Sequence, residues 1–380
     1  MTGPYLDNAA TTPVRMEAAQ AAMKAMTEEW GNPSARHALG SQAAERVKQW
    51  RSEVAAGLGC LPEEVVFTSC GTESDNWALR LGTQKNRRKG RHIITTAFEH
   101  SAILQTCHEM EAEGWEVTYL MPNRQGQISL DDLKAALRPD TVLVSMMLVN
   151  NELGCVLPVK EAAALVKAYD KQILFHTDAV QGFLKVPFTP AGLGVDLLSL
   201  SGHKIHAPKG IGALYIRQGL PLKPFILGGG QENGLRSGTE PTGQIAAFAV
   251  ACQTGKEKMA QSLAHMNQLK AYTLERLHAE VPQVEEIISG DAPHILALTL
   301  PGYKSEVLVR VMGDKGVCIS AGSACHRGKA SHVYEVMGLT KPQRDGAFRV
   351  SFSDWSTKED VDCFVQALKE TQEMLFPTMS

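Results

Sequence analysis

The chain has 380 residues, of which 44% are hydrophobic and 21% charged, and its formal net charge at pH 7 is −3. This composition is ordinary for a globular protein and excludes a disordered or fibrous chain. A charge so close to zero provides no bulk attraction for nucleic acid or an anionic membrane, so neither is expected as a partner.

The sequence shows neither a secretion signal nor a membrane-spanning segment. The N-terminal MTGPYLDNAATTP lacks a basic segment followed by an apolar one, and the apolar stretch 141–149 is far shorter than the roughly 20 residues that span a bilayer. We therefore expect a cytoplasmic protein without a membrane segment.

The eight cysteines form no C-x-x-C pair, and no Cys and His residues cluster at metal-ligand spacings. Reduced thiols are favoured over disulfides, a metal site or an iron–sulfur cluster.

Short apolar runs alternate with helical patterns from about residue 64 to 217. The runs are EEVVF, HIITTA, WEVTYL, TVLVSMMLV and QILFHTD, and an amphipathic or polar segment follows each of them. Strand-sized runs rich in Val, Ile and Leu between helical patterns predict βαβ units. Such units form a mostly parallel sheet that is covered by helices on both faces.

The pattern changes after GALYIR, which predicts the last strand of this layer. The next segment, PLKPFILGGGQENGLRSGTEP, is rich in Gly and Pro and predicts a loop. A long helix is expected from Thr242 to about Val281, and a smaller mixed α/β unit follows it. We predict a large domain over 14–255 and a smaller one formed by 1–13 and 256–380, with the first dozen residues packed near the active site.

The turn Cys70-Gly71-Thr72 joins a predicted strand directly to a predicted helix. A Gly-Thr pair there presents free backbone N–H groups, a hydroxyl and the positive end of a helix dipole, which together suit a phosphate. Taken alone, such a turn more often only caps its helix, so that alternative stays open.

Two further residues follow central strands. Asp178 ends an apolar strand, where a carboxylate is costly unless it meets a cation, although a cap of the next turn is the alternative. Lys204 follows the next strand, and a lysine in an apolar site can form a Schiff base, although most lysines are simply solvated. A phosphate turn, an acid at a strand end and a lysine after the next strand are the three parts that a pyridoxal 5'-phosphate (PLP) enzyme needs.

With these parts in place, the chain resembles the cysteine desulfurases of the NifS/IscS type, within the class V aminotransferase-like group of fold-type I PLP enzymes. The resemblance implies an α/β fold-type I PLP-transferase, with a mostly parallel sheet covered by helices and a second, smaller α/β domain. It runs in the family's order from residue 6 to about 353, in the segments LDNAATTP, GNPSARH, FTSCGTESDN, EHSA, VNNELG, HTDAVQG, SLSGHKIHAPKG, GGGQENGLRSGTE, SAGSAC and FRVSFS.

The resemblance also implies a role for each matched residue. Lys204 would form the Schiff base with PLP, His100 would stack on the ring and shuttle protons, and Asp178 would pair with the ring nitrogen. For His100 and Asn151, a purely structural hydrogen-bonding role stays open. Gln181 would contact the phenolic oxygen of PLP, with Asn151 on the substrate side. The phosphate would be bound by Gly71, Thr72, Ser201 and His203, and in a homodimer Thr239 would reach the phosphate of the partner subunit. Arg349, assisted by Asn32, would bind the substrate carboxylate.

Cys325 lies in SAGSACHRGKAS, a segment of small residues, and we expect a loop there in which the thiol would be exposed. The neighbouring His326, Arg327 and Lys329 favour the thiolate form. A thiol that takes sulfur from a substrate and then delivers it elsewhere needs such a loop. An incidental cysteine is the alternative. The loop is slightly shorter than in family members that serve iron–sulfur scaffold assembly, so the identity of the sulfur-acceptor protein stays open.

The resemblance therefore predicts a PLP-dependent cysteine desulfurase. It would remove sulfur from L-cysteine, give L-alanine, and carry the sulfur as a persulfide on Cys325 to an acceptor for iron–sulfur cluster assembly, a thio-cofactor or tRNA thiolation. Selenocysteine lyase, cysteine sulfinate desulfinase and class V aminotransferase stay open, since they share the fold and the PLP residues. Cys325 favours the desulfurase, because an aminotransferase needs no such thiol.

Overall fold

The computed structural model describes residues 3–321 and 331–375. Its main sheet has seven strands, in the order β1-β7-β6-β5-β4-β2-β3. The strands are β1 (Val65–Thr68), β2 (His92–Thr96), β3 (Glu116–Leu120), β4 (Thr141–Ser145), β5 (Leu174–Asp178), β6 (Leu197–Ser201) and β7 (Gly212–Ile216). All neighbours from β6 to β3 are parallel, and β7 is antiparallel to both β6 and β1. The predicted, mostly parallel sheet is confirmed.

Helices cover both faces of this sheet, and the alternation of side chains along its strands shows it. Leu174 and Leu197 belong to one buried cluster, whereas Phe175 and Leu198, one position further along, belong to another. Successive side chains of a strand point to opposite faces, so the two clusters lie on opposite faces of the sheet. Both clusters are apolar and buried because helices cover each face. The helices that precede, connect or flank the strands are α1 (Met16–Thr27), α2 (Ala38–Leu58), α3 (Gly71–Lys85), α4 (Ser101–Ala112), α5 (Leu130–Ala136), α6 (Val159–Tyr169) and α7 (Pro190–Leu193).

The C-terminal part of the chain contains a second, smaller sheet. Its strands are antiparallel in the order β10-β11-β9-β8, and a separate apolar cluster packs against them. The elements are α8 (Thr242–Glu280), β8 (Glu285–Glu286), β9 (Ile295–Thr299), α9 (Ser305–Asp314), β10 (Ser320–Ala321), α10 (His332–Val336), α11 (Lys341–Asp345), β11 (Ala347–Ser351) and α12 (Lys358–Met374).

The N-terminal segment links the two sheets. Ser351 at the end of β11 donates its backbone N–H to the carbonyl of Leu6 at 2.7 Å, and Thr12 donates its own to the carbonyl of His203 at 2.9 Å. The long helix α8 agrees with its predicted bounds and runs through residue 255. The domain limits at 13 and 255 stay a prediction.

Two further observations concern whole classes of residue. The cysteines that the structure describes, at positions 60, 70, 107, 155, 252, 318 and 363, are all free thiols, as predicted. Among the described residues, no helix is both long enough and apolar enough to cross a membrane.

Candidate active site

A cavity of about 340 Å³ opens at the carboxyl ends of the central strands. This is the edge at which open α/β sheets bind their ligands, since the loops that follow parallel strands all emerge there. The cavity brings together many residues singled out from the sequence, namely Gly71, Thr72, His100, Asn151, Asp178, Gln181, His203, Lys204 and Arg349.

Lys204 enters the cavity from a short 3₁₀ helix, Gly202–Lys204, directly after β6. Its Nζ donates to the carbonyl oxygens of Ala9 at 2.7 Å and Ala10 at 2.8 Å. The N-terminal segment thus fixes the end of a side chain that otherwise has four free torsions. This is the placement that a lysine needs if its amine is to meet a carbonyl carbon in the cavity.

Asp178 ends β5 and is only 6% exposed. Its Oδ1 accepts a hydrogen bond from the backbone N–H of Val180 at 2.9 Å. Burial raises the pKa of Asp178, and the nearby His100 and Lys204 act in the opposite direction. A buried acid of this kind is stabilised as the anion when a cationic ligand group comes to rest against it.

His100 has both a structural and a cavity-lining position. Its Nδ1 accepts the backbone N–H of Ala102 at 3.1 Å and so caps the N-terminus of α4. With Nδ1 accepting, a neutral ring carries its proton on Nε2. Burial lowers the pKa of His100, which favours that neutral form. The predicted structural hydrogen bond therefore exists, and it orients a ring that also lines the cavity.

The phosphate turn is shaped by close packing. A Cβ on Gly71 would lie 2.7 Å from Cγ2 of Val180, so only glycine fits there without a shift. Cys70, the residue before α3, makes no side-chain cap. The Oγ atom of Ser201, next to Gly71, is buried without a hydrogen-bond partner. An uncapped helix N-terminus beside an unpartnered hydroxyl fits an anionic phosphate group.

Gln181 is held from two sides. Its Nε2 donates to the carbonyl of Ala9 at 2.9 Å, and its Oε1 lies 3.3 Å from Nε2 of His294. Burial keeps the pKa of His294 well below its ordinary value, so the ring is neutral. The amide of Gln181 is thereby fixed in orientation at the wall of the cavity.

Arg349, in the middle of β11, closes the other end of the cavity and is 7% exposed. One terminal nitrogen donates to the carbonyl of Asn151 at 2.6 Å, and the other pairs with Oδ1 of Asp7 at 2.9 Å. Its Nε is buried without a partner. A guanidinium with planar donors in this position suits a carboxylate ligand.

Four acidic residues of the site were not recognised from the sequence. Asp7 pairs with Arg349, and Asp75, which is buried, lines the cavity with Asp178. Glu99 is buried and interacts electrostatically with Asp178. Glu152 also lines the cavity, accepts a hydrogen bond from Ser331 at 2.9 Å, and has its pKa raised by burial to about 7. All four lie inside motifs that carry the resemblance. Only the folded chain shows that they face the other site residues.

Some predicted residues are not brought to this cavity. Thr239 is exposed, in the loop that Arg236 ties to Glu73 through an ion pair of 2.9 Å. Asn32 is also exposed, and its Oδ1 accepts the backbone N–H of Ser34 at 2.9 Å. The roles of both residues stay predictions. Cys325 lies outside the residues that the structure describes.

Comparisons with known proteins extend over nearly the whole chain. The family model described as aminotransferase class-V matches residues 4–364. A cysteine desulfurase of Trichormus azollae is 40% identical over 377 residues, which are 98% of this chain and 93% of the relative. A cysteine desulfurase IscS of Methanosarcina thermophila is 39% identical and covers 98% and 92%. The solved structure of a NifS-like protein matches with a TM-score of 0.93 at 35% identity, over 98% of this chain and 100% of that one.

Proposed function

The chain belongs to the aminotransferase class-V family, among its cysteine desulfurases, and from that premise we propose that it uses PLP to remove sulfur from L-cysteine. The predicted fold, that of the fold-type I PLP enzymes, is confirmed by the NifS-like structure. The observation that carries the proposal is the single cavity that joins Lys204, Asp178 and Arg349. These three residues offer an amine, an anion and a carboxylate clamp to one small substrate and its cofactor.

The residues of the cavity fit PLP group by group. The uncapped turn at Gly71 and Thr72, with the hydroxyl of Ser201 and the ring of His203, suits the phosphate, and Asp178 suits a protonated ring nitrogen. When bound, PLP supplies an aldehyde that joins the substrate amine and a ring that withdraws electrons from the reacting carbons. Gln181 would donate to the phenolic oxygen, and Asn151 stands on the substrate side.

Substrate orientation falls to Arg349. A carboxylate that enters the cavity competes with Asp7 for the guanidinium, and the unpartnered Nε offers a further donor. Binding therefore exchanges one carboxylate for another at the guanidinium, so Arg349 stays paired in both states. Asn32 is proposed to assist from outside the cavity.

Proton movements are assigned to two side chains. The amine of Lys204 takes the proton from the α-carbon of the substrate, and the carbonyls of Ala9 and Ala10 hold the resulting ammonium. His100 presents Nε2 to the cavity and is proposed to pass protons between the substrate sulfur and the product carbon. Burial lowers the pKa of His100, and because Nδ1 already accepts the N–H of Ala102, the neutral ring presents Nε2–H to the cavity. His100 therefore donates this proton first and afterwards regains one at Nε2.

The sulfur leaves by attack of the Cys325 thiolate. A sulfur–sulfur bond forms, the carbon–sulfur bond of the substrate breaks, and its electron pair stays with the carbon skeleton, which takes up a proton and leaves as L-alanine. The terminal sulfur remains on Cys325 as a persulfide and passes to the thiol of an acceptor protein. No external oxidant is needed, because cysteine and thiol give alanine and persulfide in balance.

We further propose a cytoplasmic homodimer. The exposed loop around Thr239 supports this, because a residue with a phosphate-binding role must then reach the cavity of another copy. We propose that the chain donates its sulfur to an acceptor protein, in a pathway of either iron–sulfur cluster assembly or thiolation.

The test is mass spectrometry of the intact protein and its peptides after brief exposure to L-cysteine without reductant, with alanine quantified in parallel. The expected result is one added sulfur on the Cys325 peptide, together with alanine. Cys325→Ser should keep PLP and substrate binding but lose the persulfide, and Lys204→Ala should lose turnover. The matched control is Cys363→Ser, an exposed thiol on α12 that should behave as the wild type.

Other outcomes identify the alternatives. Full sulfide release by Cys325→Ser would contradict the role of that thiol. Pyridoxamine phosphate and a keto acid, with neither alanine nor persulfide, would favour an aminotransferase. Faster turnover of selenocysteine or cysteine sulfinate than of cysteine would favour the lyase or the desulfinase.

A further inference from the structure

Two buried acids that the proposed reaction does not use, Asp75 and Glu99, form an acidic layer next to Asp178. Asp75 is the fifth residue of α3, and Glu99 lies between β2 and α4; each is 1% exposed. Asp75, Asp178 and His100 bring their polar atoms within 4.8 Å of one another. Glu99 is not part of this cluster, but it accepts a hydrogen bond from Met147, which lines the cavity, and it interacts electrostatically with Asp178.

Glu99 is held in place by one of its two oxygens. Its Oε1 accepts the backbone N–H of Met147 at 2.8 Å and the hydroxyl of Thr96 at 2.9 Å. Its Oε2 is buried and has no hydrogen-bond partner. An anion with an unpartnered, buried oxygen is costly, whereas a neutral carboxyl with two accepted hydrogen bonds is not. The geometry therefore favours the neutral acid.

Asp75 shows the same pattern. Its Oδ1 is buried and unpartnered, and the nearest basic atom, Nε2 of His176, is 3.7 Å away. His176 cannot act as the cation, because burial lowers its pKa to about 3 and its two nitrogens already meet the hydroxyls of Ser145 and Ser199 at 2.9 and 3.0 Å. Burial and the nearby Asp178 raise the pKa of Asp75 well above its ordinary value.

We propose that Glu99 is a positioning residue that acts through Asp178 on the protonation of the bound cofactor. The inference rests on the proposed PLP function. At neutral pH the layer is uncharged, and Asp178 carries the one negative charge that faces the ring nitrogen. When Glu99 ionises, a second negative charge arrives, and it holds the cofactor nitrogens protonated to higher pH.

Glu99 is expected to ionise within the pH range over which the cofactor can be titrated. Burial raises its pKa to about 8; Asp178 adds to this, and the hydrogen bonds from Met147 and Thr96 act in the opposite direction. The other titratable groups that face it are Asp75 on α3 and Cys107 on α4. Cys107 stays neutral, since burial raises its pKa to about 12. Glu99 is therefore the group of this layer that gains charge in mildly alkaline solution.

The test is a spectrophotometric titration of the PLP-loaded wild type, Glu99→Gln and Asp75→Asn, which follows the absorbance band of the cofactor against pH. The midpoint of Glu99→Gln should fall about one pH unit below the wild type, because an amide cannot supply the second charge. Asp75→Asn is the matched control: it makes the same acid-to-amide change and should keep the wild-type midpoint, since burial and Asp178 hold the pKa of Asp75 well above its ordinary value and favour its neutral form.

The outcomes separate the two proposals. A wild type that forms no cofactor band at Lys204 would contradict the PLP function itself. A normal band with superimposable wild-type and Glu99→Gln curves would overturn the inference alone, as would a midpoint for Asp75→Asn that falls as far as that of Glu99→Gln. If Glu99→Gln does not fold, the wild-type curve still decides, because it should be broader than a one-proton titration and a one-proton curve would overturn the inference.

Discussion

The two ends of the active-site cavity treat buried charge differently. Asp178 and Arg349 are buried to almost the same degree, at 6% and 7% exposure. Arg349 pairs with Asp7 at 2.9 Å. Asp178 forms no ion pair within the described residues, and its carboxylate accepts one backbone N–H at 2.9 Å. One charge is matched by the protein itself and the other is not.

The difference follows from how long each ligand stays. A cofactor remains bound through many turnovers, so the protein can leave Asp178 without a partner and gain affinity for a cationic ring. A substrate leaves after every turnover. Without Asp7, the buried guanidinium of Arg349 would then be left unpaired each time, which is costly in free energy. Asp7 neutralises Arg349 in the interval. On the proposed function, the end of the cavity at Asp178 would hold a lasting ligand, and the end at Arg349 would exchange its ligand in every turnover.

Replacing the unmatched charge should have the largest effect. Asp178→Asn keeps the size and removes the anion, so a protonated ring nitrogen loses its partner. Breaking a buried pair costs about 3–5 kcal/mol, which predicts a drop in alanine formation of roughly 100- to 5000-fold and weaker PLP binding. Initial rates and equilibrium dialysis of PLP measure both. The control is Glu64→Gln, a buried acid far from the cavity, and a rate within a few-fold of wild type for Asp178→Asn would contradict the assignment.

At the exchanging end, Arg349→Lys keeps the charge but loses the planar set of donors. Losing one charge-assisted hydrogen bond costs about 1.5–3 kcal/mol, so the KM for L-cysteine should rise roughly 10- to 100-fold, while kcat changes less. Steady-state kinetics with saturating PLP separate the two constants. Arg344→Lys, on the partly exposed α11, is the matched control. A fall in kcat at unchanged KM would mean that Arg349 does not bind the carboxylate.

The sequence predicted the elements whose signal is local. The runs that end at Asp178 and before Lys204 carry their strand signal in their own residues, and a lysine or an acid after such a strand must emerge at the edge of the sheet where ligands bind. The antiparallel direction of β7 is equally local in origin. Only ten residues separate β6 from β7, too few for the crossover helix that a parallel strand requires.

What could not be predicted are contacts between distant parts of the chain. Asp7 and Arg349 are 342 positions apart, and no periodicity relates them. The unpartnered oxygens of Asp75 and Glu99 are a matter of which donors come within reach after folding. Both acids lie inside recognisable motifs, yet a motif names residues and not distances. The sequence therefore identified the residues proposed to meet the cofactor, whereas the surroundings of Asp75 and Glu99 are visible only in the folded chain.

The smallest effect should come from Asp7→Asn, and its sign separates two explanations. If Asp7 competes with the substrate carboxylate, its removal frees the guanidinium of Arg349. A partly buried ion pair of this kind is worth about 0.5–1 kcal/mol, so the KM for L-cysteine should fall about two- to five-fold. Steady-state kinetics beside the wild type and Arg349→Lys measure the change. A KM that rises instead would mean that Asp7 holds Arg349 in its binding orientation, and the exchange argument would then fail at this end of the cavity.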